Sequence, residues 1–244
     1  MGLAAVAAVQ PAGRTDPPGR TADRRRRQGR GVAPRSSLRG RLGRQLTENG
    51  VSAEARAFLR AFSWDGWTPE ERATLLFVVA GGRILLIEKH RGLGQGKVNG
   101  PGGRLEPGET PRAAAVREAE EEIRIRPTGI RPAGELRFQF VDGYSIHVYV
   151  FRADGFAGEP ESTVEATPLW ADLESIPYER MWEDDAVWLP LLLREQPFSG
   201  RFVFDGELML TNEVDLLAAP PFAPGEPPPE RGAAAFADGR AGAH

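Results

Sequence analysis

The sequence predicts an α+β domain in which strands outnumber helices, with disordered segments at both ends. Three observations predict it. Runs of β-branched and aromatic residues are separated by short Gly-containing turns, which is the mark of hairpins rather than of long crossovers. A single strong helical pattern, entered through Thr110-Pro111, interrupts those strands. Residues 1–50 and 218–244 carry no hydrophobic period able to bury a face, so the folded domain is expected over residues 51–217.

The elements follow in order. Ser52 to Phe62 predicts a short helix with Ala55, Phe58, Leu59 and Phe62 on one side, then an aromatic turn from Trp64 to Trp67. Ala73 to Val79 is a continuous apolar strand, Gly81-Gly82 turns it, and Arg83 to Glu88 returns. In the central helix Ala115, Val116, Ala119 and Ile123 can face a sheet. Leu136, Phe138 and Phe140 alternate with Arg137 and Gln139; Asp142-Gly143 then forms a hairpin turn and Tyr144 to Phe151 the returning strand. Trp170 closes a short strand, and Asp184 to Arg194 reads as a helix that Pro190 is expected to bend. Phe202 to Phe204 and Leu208 to Leu210 bracket Asp205-Gly206 as a third hairpin, and from Ala218 onward Pro and Ala dominate.

Composition excludes several chemistries. With no Cys and three His among 244 residues, disulfides, thiolate metal sites and a His-rich zinc site lack their ligands. Any metal must be held by oxygen, which suits magnesium, manganese or calcium. No apolar run reaches the ~20 residues that span a bilayer. The opening MGLAAVAAVQ lacks the positive flank and apolar length of a secretory signal, so a soluble, cytoplasmic protein without membrane partners is expected. The net charge of −3 conceals an asymmetry: residues 1–45 hold eleven Arg against two Asp, a balance of +9, so the rest carries −12. Such an arm can contact nucleic acid or an anionic surface. A solvated, disordered leader is the expected reading here.

The chemistry concentrates in GGRLEPGETPRAAAVREAEEEIRI, from Gly102 to Ile125. Gly100, Gly102 and Gly103 flank Pro101 and permit a backbone path closed to larger residues. In the helix, Glu118, Glu121 and Glu122 fall at i, i+3 and i+4, so three carboxylates gather on one face. Like charges gathered this way repel unless a cation lies among them, whereas Glu120 reads as a solvated surface residue.

This spacing resembles the Nudix box: Gly, five residues, Glu, seven residues, Arg-Glu, an apolar residue, one residue, Glu-Glu, one residue, Gly, an apolar residue. Gly103, Glu109, Arg117, Glu118, Ala119, Glu121, Glu122 and Ile125 fill those places, and Arg124 stands where the family has Gly. The resemblance implies a mixed β-sheet sandwiched between helices. It also implies Mg²⁺, with Mn²⁺ as a substitute, held by Glu118, Glu121, Glu122 and the Gly102 carbonyl. Glu121 and Arg117 would serve catalysis, Arg117 by orienting the carboxylates and pairing with Glu109. Glu165 would join the metal or act as base, with Glu161 as the fallback.

Two further stretches resemble the oxidised-purine nucleoside triphosphatases within that family. Lys89 to Gly100 matches their Lys-x-Arg-Gly-x-Gly-x-Gly-x-x-Asn-Gly loop, and Met181-Trp182-Glu183-Asp184-Asp185 their Met-Trp-x-Asp-Asp signature. The resemblance implies that Asn99, Asp184 and Asp185 read the purine edge and that Trp182 stacks on its face. Phe138 and Phe140 would line the pocket, with Thr74 at its floor and Lys89 at its rim. Leu93, Val98 and Pro101 stand where the mammalian members of that subfamily have aromatic residues. The expected activity is hydrolysis of 8-oxo-dGTP, and of 2-oxo-dATP, to the monophosphate and pyrophosphate by a monomer. Two alternatives stay open: a diphosphatase for ADP-ribose or dinucleoside polyphosphates, and a weakly catalytic nucleotide- or RNA-binding regulator using the Arg-rich leader.

Overall fold

A computed structural model describes residues 51–223. The leader expected over 1–50 and the tail beyond 223 lie outside the described residues. Helix α1 spans Ala53–Ala61, entered through Ser52, whose hydroxyl accepts from the Ala55 amide. Strands β1 (Glu71–Ala80) and β2 (Arg83–Lys89) form the first hairpin, followed by the short β3 (Val98–Asn99). Helix α2 is Pro111–Ile123. Then come β4 (Arg126–Thr128), β5 (Arg131–Phe140), β6 (Ser145–Ala153), β7 (Gly155–Ala157) and β8 (Ala166–Asp172). Helix α3 (Asp185–Leu193) precedes the hairpin β9 (Phe198–Asp205) and β10 (Leu208–Leu216).

The main sheet has the order β10-β9-β5-β6-β1-β2-β3, with β8 also paired to β2. It is mixed: β1 runs parallel to β6 and β5 parallel to β9, while the hairpin pairs are antiparallel. One face packs Phe77, Leu136, Val148 and Phe202 against Trp188, Leu189 and Leu192 of α3. The other packs Leu76, Val78, Leu85 and Phe151 against Ala115, Ala119 and Ile123 of α2. Small residues on α2 let it lie close to the strands. Val203, between two residues of the α3 face, points the opposite way and is covered with Leu210 by Ala55 of α1. Each large apolar side chain buried in these layers is worth roughly 1.5–3 kcal/mol over exposure.

Several boundaries differ from the sequence expectations. β1 begins at Glu71, because hydrogen bonding in parallel to Ile146 extends it beyond the apolar run. β3, and the separate β4–β7 pair, were not expected, since two or three residues are too few for a period to show. α3 runs through Pro190 and ends at Leu193. Order continues past 217: the Phe222 ring meets Tyr149 and Phe151 edge-on at 5.0 and 5.3 Å. Among the described residues no helix is long and apolar enough to cross a membrane.

Candidate active site

The site is built where α2 meets the loop 100–104. That loop is stitched to β1 by Leu76 N–H donating to the Pro101 carbonyl and Thr74 N–H to that of Gly103, both at 2.9 Å. The approach is too close for side chains. A Cβ on Gly102 would lie 2.1 Å from the Thr74 carbonyl oxygen, and one on Gly103 would lie 2.4–2.6 Å from the Glu118 carboxylate. The glycines therefore admit the acidic helix face to the loop.

Thr110 caps α2, its hydroxyl accepting from the Ala113 amide at 3.2 Å. At the other end Arg124 takes a left-handed conformation, φ 62° and ψ 23°, and its amide returns to the carbonyls of Ala119 and Glu120. This is the place the family fills with Gly, and the backbone makes the same turn with Arg. Glu120, as expected, faces solvent, near Arg126.

The acids are distributed by depth. Glu122 is buried; its carboxylate accepts from the Gly102 amide at 2.9 Å and pairs with Lys89 Nζ at 3.2 Å. Burial pushes its pKa up, and Lys89 and the amide only partly offset this. Lys89 also donates to the Gly102 carbonyl at 3.3 Å. Arg117 forks onto Glu109 through Nε (3.0 Å) and Nη2 (2.9 Å), reaches Glu118 at 2.8 Å and Glu121 at 3.1 Å, and donates to the Arg104 carbonyl at 3.0 Å. Its hydrogen bond to Glu109 leads the causes that raise its pKa. Burial pushes the Glu109 carboxyl up, but Arg117 and the Glu106 amide together outweigh it and the net shift is down. With Arg117 engaging Glu118 and Glu121, and Lys89 engaging Glu122, no three acidic or His side chains among the described residues close on a single point.

A cavity of about 310 Å³ opens beside this helix and includes Gly102 and Gly103 in its wall. All eight residues expected at the base, Thr74, Lys89, Asn99, Phe138, Phe140, Trp182, Asp184 and Asp185, line it. Thr74 is buried, and its hydroxyl finds no hydrogen-bond partner among the described residues. The Asn99 side-chain oxygen accepts from the Gly100 amide at 2.8 Å. Asp184 stands at the N-cap of α3 without making a cap bond; instead it accepts from Trp188 Nε1 at 2.8 Å. Asp185 accepts from the Trp182 amide at 3.0 Å. Both acids are buried. Burial raises Asp184 to about 6, and burial together with Asp184 raises Asp185 well above the carboxylate range. Trp188 packs in the core between Phe77 and Phe198, so it supports Asp184 as well as filling space.

Glu165 lies just before β8, paired outward with Arg91, and its backbone carbonyl receives His90 N–H. Glu161 is exposed, its amide donating to the Ile123 carbonyl. The sequence reading missed part of the wall. Ile146 and Val148 share the face of Phe138, and Phe138 is paired directly with Ile146, so strand alternation could have found them. Tyr144 and Arg104 also line the cavity and both reach the Glu71 carboxylate, Tyr144 at 2.6 Å. Burial, then Glu71, raises the Tyr144 hydroxyl to about 12. Only the folded placement of β1 against β6 brings these three together.

A strand-rich sheet with an acid-bearing helix beside a Gly loop defines the class: residues 69–192 match the NUDIX domain, and the chain belongs to the Nudix family of hydrolases. Among curated relatives, the oxidized purine nucleoside triphosphate hydrolase of Danio rerio is 40% identical over 144 residues, which cover 58% of this chain and 92% of the relative. The protein of the same name from Mus musculus is 38% identical over 135 residues, 55% of this chain and 86% of the relative. Among solved structures, a MutT protein from Bacillus halodurans superposes with a TM-score of 0.54 at 24% identity, over 59% of this chain and 97% of that one, and shares the fold.

Proposed function

We propose that this chain hydrolyses oxidised purine nucleoside triphosphates such as 8-oxo-dGTP, and 2-oxo-dATP, to the monophosphate and pyrophosphate. One observation carries the reading: a buried Asp pair, an indole and an Asn line a single cavity whose wall is the Gly102–Gly103 loop of the acidic helix. The two relatives named for that activity support it.

The donor set fits a hard divalent cation, Mg²⁺ or Mn²⁺. Glu118, Glu121, Glu122 and the Gly102 carbonyl are all oxygen donors, and Glu122 is a buried acid short of compensation. Bound there, the ion would neutralise phosphate charge and favour ionisation of an attacking water. The chain supplies the rest. Arg117 holds Glu118 and Glu121 in register with the loop. A water oxygen forms the new bond to phosphorus, the bridging P–O bond breaks, and pyrophosphate leaves. The water proton passes to a carboxylate, for which Glu121, the most exposed of the three box acids, and Glu165 are the candidates. Asn99 and the Asp pair hold the base edge while Trp182 takes its face. A monomer working in the cytoplasm belongs to the same reading.

The test is hydrolysis with Mg²⁺ over 8-oxo-dGTP, 2-oxo-dATP, dGTP, ADP-ribose and diadenosine polyphosphates, with products identified. The oxidised triphosphates should show the highest kcat/KM. Preference for ADP-ribose or a dinucleotide would overturn the substrate assignment.

A further inference from the structure

Trp182 is held from behind. The loop between β2 and β3 wraps its indole: Gly94, at φ +79°, brings backbone so near that a Cβ there would lie 3.1 Å from Trp182 Nε1. Four backbone bonds brace this loop, Gly96 N–H to the Lys89 carbonyl, Lys97 N–H to that of Gly94, Lys89 N–H to that of Lys97, and Gln95 N–H to that of Gly92. At its end Lys97 Nζ sits 4.9 Å from the centroid of the Trp182 ring and is tethered by Glu207, in the β9–β10 turn, at 3.0 Å. The edge of Trp182 is set by Phe204, with ring planes at 89° and centroids 5.7 Å apart. Trp182 lines the cavity, and Lys97 is not part of the cavity wall.

We propose that Lys97 covers the indole face turned away from the cavity and, from there, is a specificity-determining residue that acts through Trp182 without touching the base. The inference rests on the proposed function, in which that indole stacks on a purine. A cation over one face of an indole draws on its π density, so the opposite face becomes a poorer electron donor. A purine carrying an extra ring oxo group is a better donor than its parent. Stacking on the depleted face thus favours the oxidised base over the normal one, in a contact that hydrogen bonding to the base edge does not supply. Glu207 is largely exposed and screened by water, so it anchors the ammonium more than it cancels its field.

The experiment compares Lys97→Met, which keeps the stem and removes the charge, with Lys97→Arg, which keeps the charge. The kcat/KM ratio of 8-oxo-dGTP to dGTP is measured at pH 6 and pH 8, and thermal unfolding serves as the folding control. Lys97→Met should lower the ratio about two- to fivefold, the range set by a partly exposed cation–π contact, equally at both pH values. Lys97→Arg should retain it. An unchanged ratio in Lys97→Met, or an equal fall in Lys97→Arg, overturns the proposal. So does a fall confined to one pH, which would trace the effect to Asp185, whose carboxyl also feels Lys97. Trp182→Ala separates the two failures. If it collapses the ratio while Lys97→Met does not, only the role of Lys97 is lost; if it too leaves the ratio unchanged, the base does not stack on Trp182 and the inference falls while the activity stands. A parent ratio near one would overturn the function proposal itself.

Discussion

Glu121 keeps over half its side chain in solvent while Glu122 is sealed beneath Lys89, so the two acids differ in what their loss would disturb. Glu121→Gln removes a charge without opening a cavity. It should cut turnover by two or more orders of magnitude with excess Mg²⁺ while circular dichroism and the melting midpoint stay near those of the parent; near-normal rates would place the ion elsewhere. The Asp pair gives a pH test. Unfolded, each Asp titrates near ~4. Folded, burial raises Asp184 to about 6, and burial together with Asp184 raises Asp185 well above its ordinary value. Between about pH 4 and 6 the folded chain keeps a proton on Asp184 that the unfolded chain has released, so the contribution of Asp184 is full below about pH 4 and is lost as pH rises through about 6. Asp184→Asn cannot ionise and should lose less stability than the parent between pH 4 and 7, as read by denaturant unfolding at each pH. Parallel curves would show that Asp184 titrates as an ordinary carboxyl. Much of the cavity was legible: the strand bearing Phe138 and Phe140 by alternation, the three Glu by helical spacing, and the lining by Asn99, Trp182, Asp184, Asp185 and the two Phe by resemblance. Lys97, Arg104 and Tyr144 were not, because their partners Trp182 and Glu71 are distant in sequence and only the sheet order unites them.

At the scale of elements, the main strands and all three helices follow from period and caps, and the misses are instructive. β4 and β7 pair only with each other, across three residues each, so what specifies them is the register around Pro127 and Phe156 rather than any local pattern. α2 is defined by Thr110-Pro111 at its start, and its end is the unusual feature. A non-Gly residue at φ 62° pays conformational strain that Gly would not. Arg124 is exposed, and its cap bonds are made by backbone. Arg124→Gly should therefore stabilise the domain by about 0.5–1 kcal/mol, what remains of ~1–2 kcal/mol of left-handed strain after the entropy cost of Gly, with kcat/KM unchanged. A lower melting midpoint would show that the Arg side chain contributes more than its backbone costs.

For the whole molecule, the folded unit extends beyond the expected edge at 217, and Phe222 is the reason. Its ring covers Tyr149 and Phe151 on the α2 face of the sheet. Proline and alanine around it masked this contact, since a lone aromatic has no period. A chain ending at residue 223 should match the full chain in melting temperature, whereas one ending at 219 should lose about 1–2 kcal/mol, an aromatic side chain's worth of partial burial and ring contact. Removing residues 1–45, which carry no apolar period, should change neither stability nor rate. Equal midpoints for the two C-terminal truncations would mean that Phe222 adds nothing.

The parallel pairing of β1 with β6, and of β5 with β9, also bears on how the protein is made. Thr74 finds its neighbour Tyr149, and Phe138 its neighbour Phe202, only after long intervening stretches have been synthesised. Translation at about 5–20 residues per second leaves the apolar β1 run unpartnered on that side for several seconds. Throughout that interval Leu76, Phe77 and Val78, all buried in the finished sheet, are open to other chains. A nascent polypeptide released at Arg194 would already contain the complete acidic helix and both buried acids of the cavity, yet would lack β9, one of the two neighbours of β5. Such fragments should sediment as aggregates where the full-length product stays in the supernatant, and it is in ribosome-bound chains of this length that a holding chaperone would find its client.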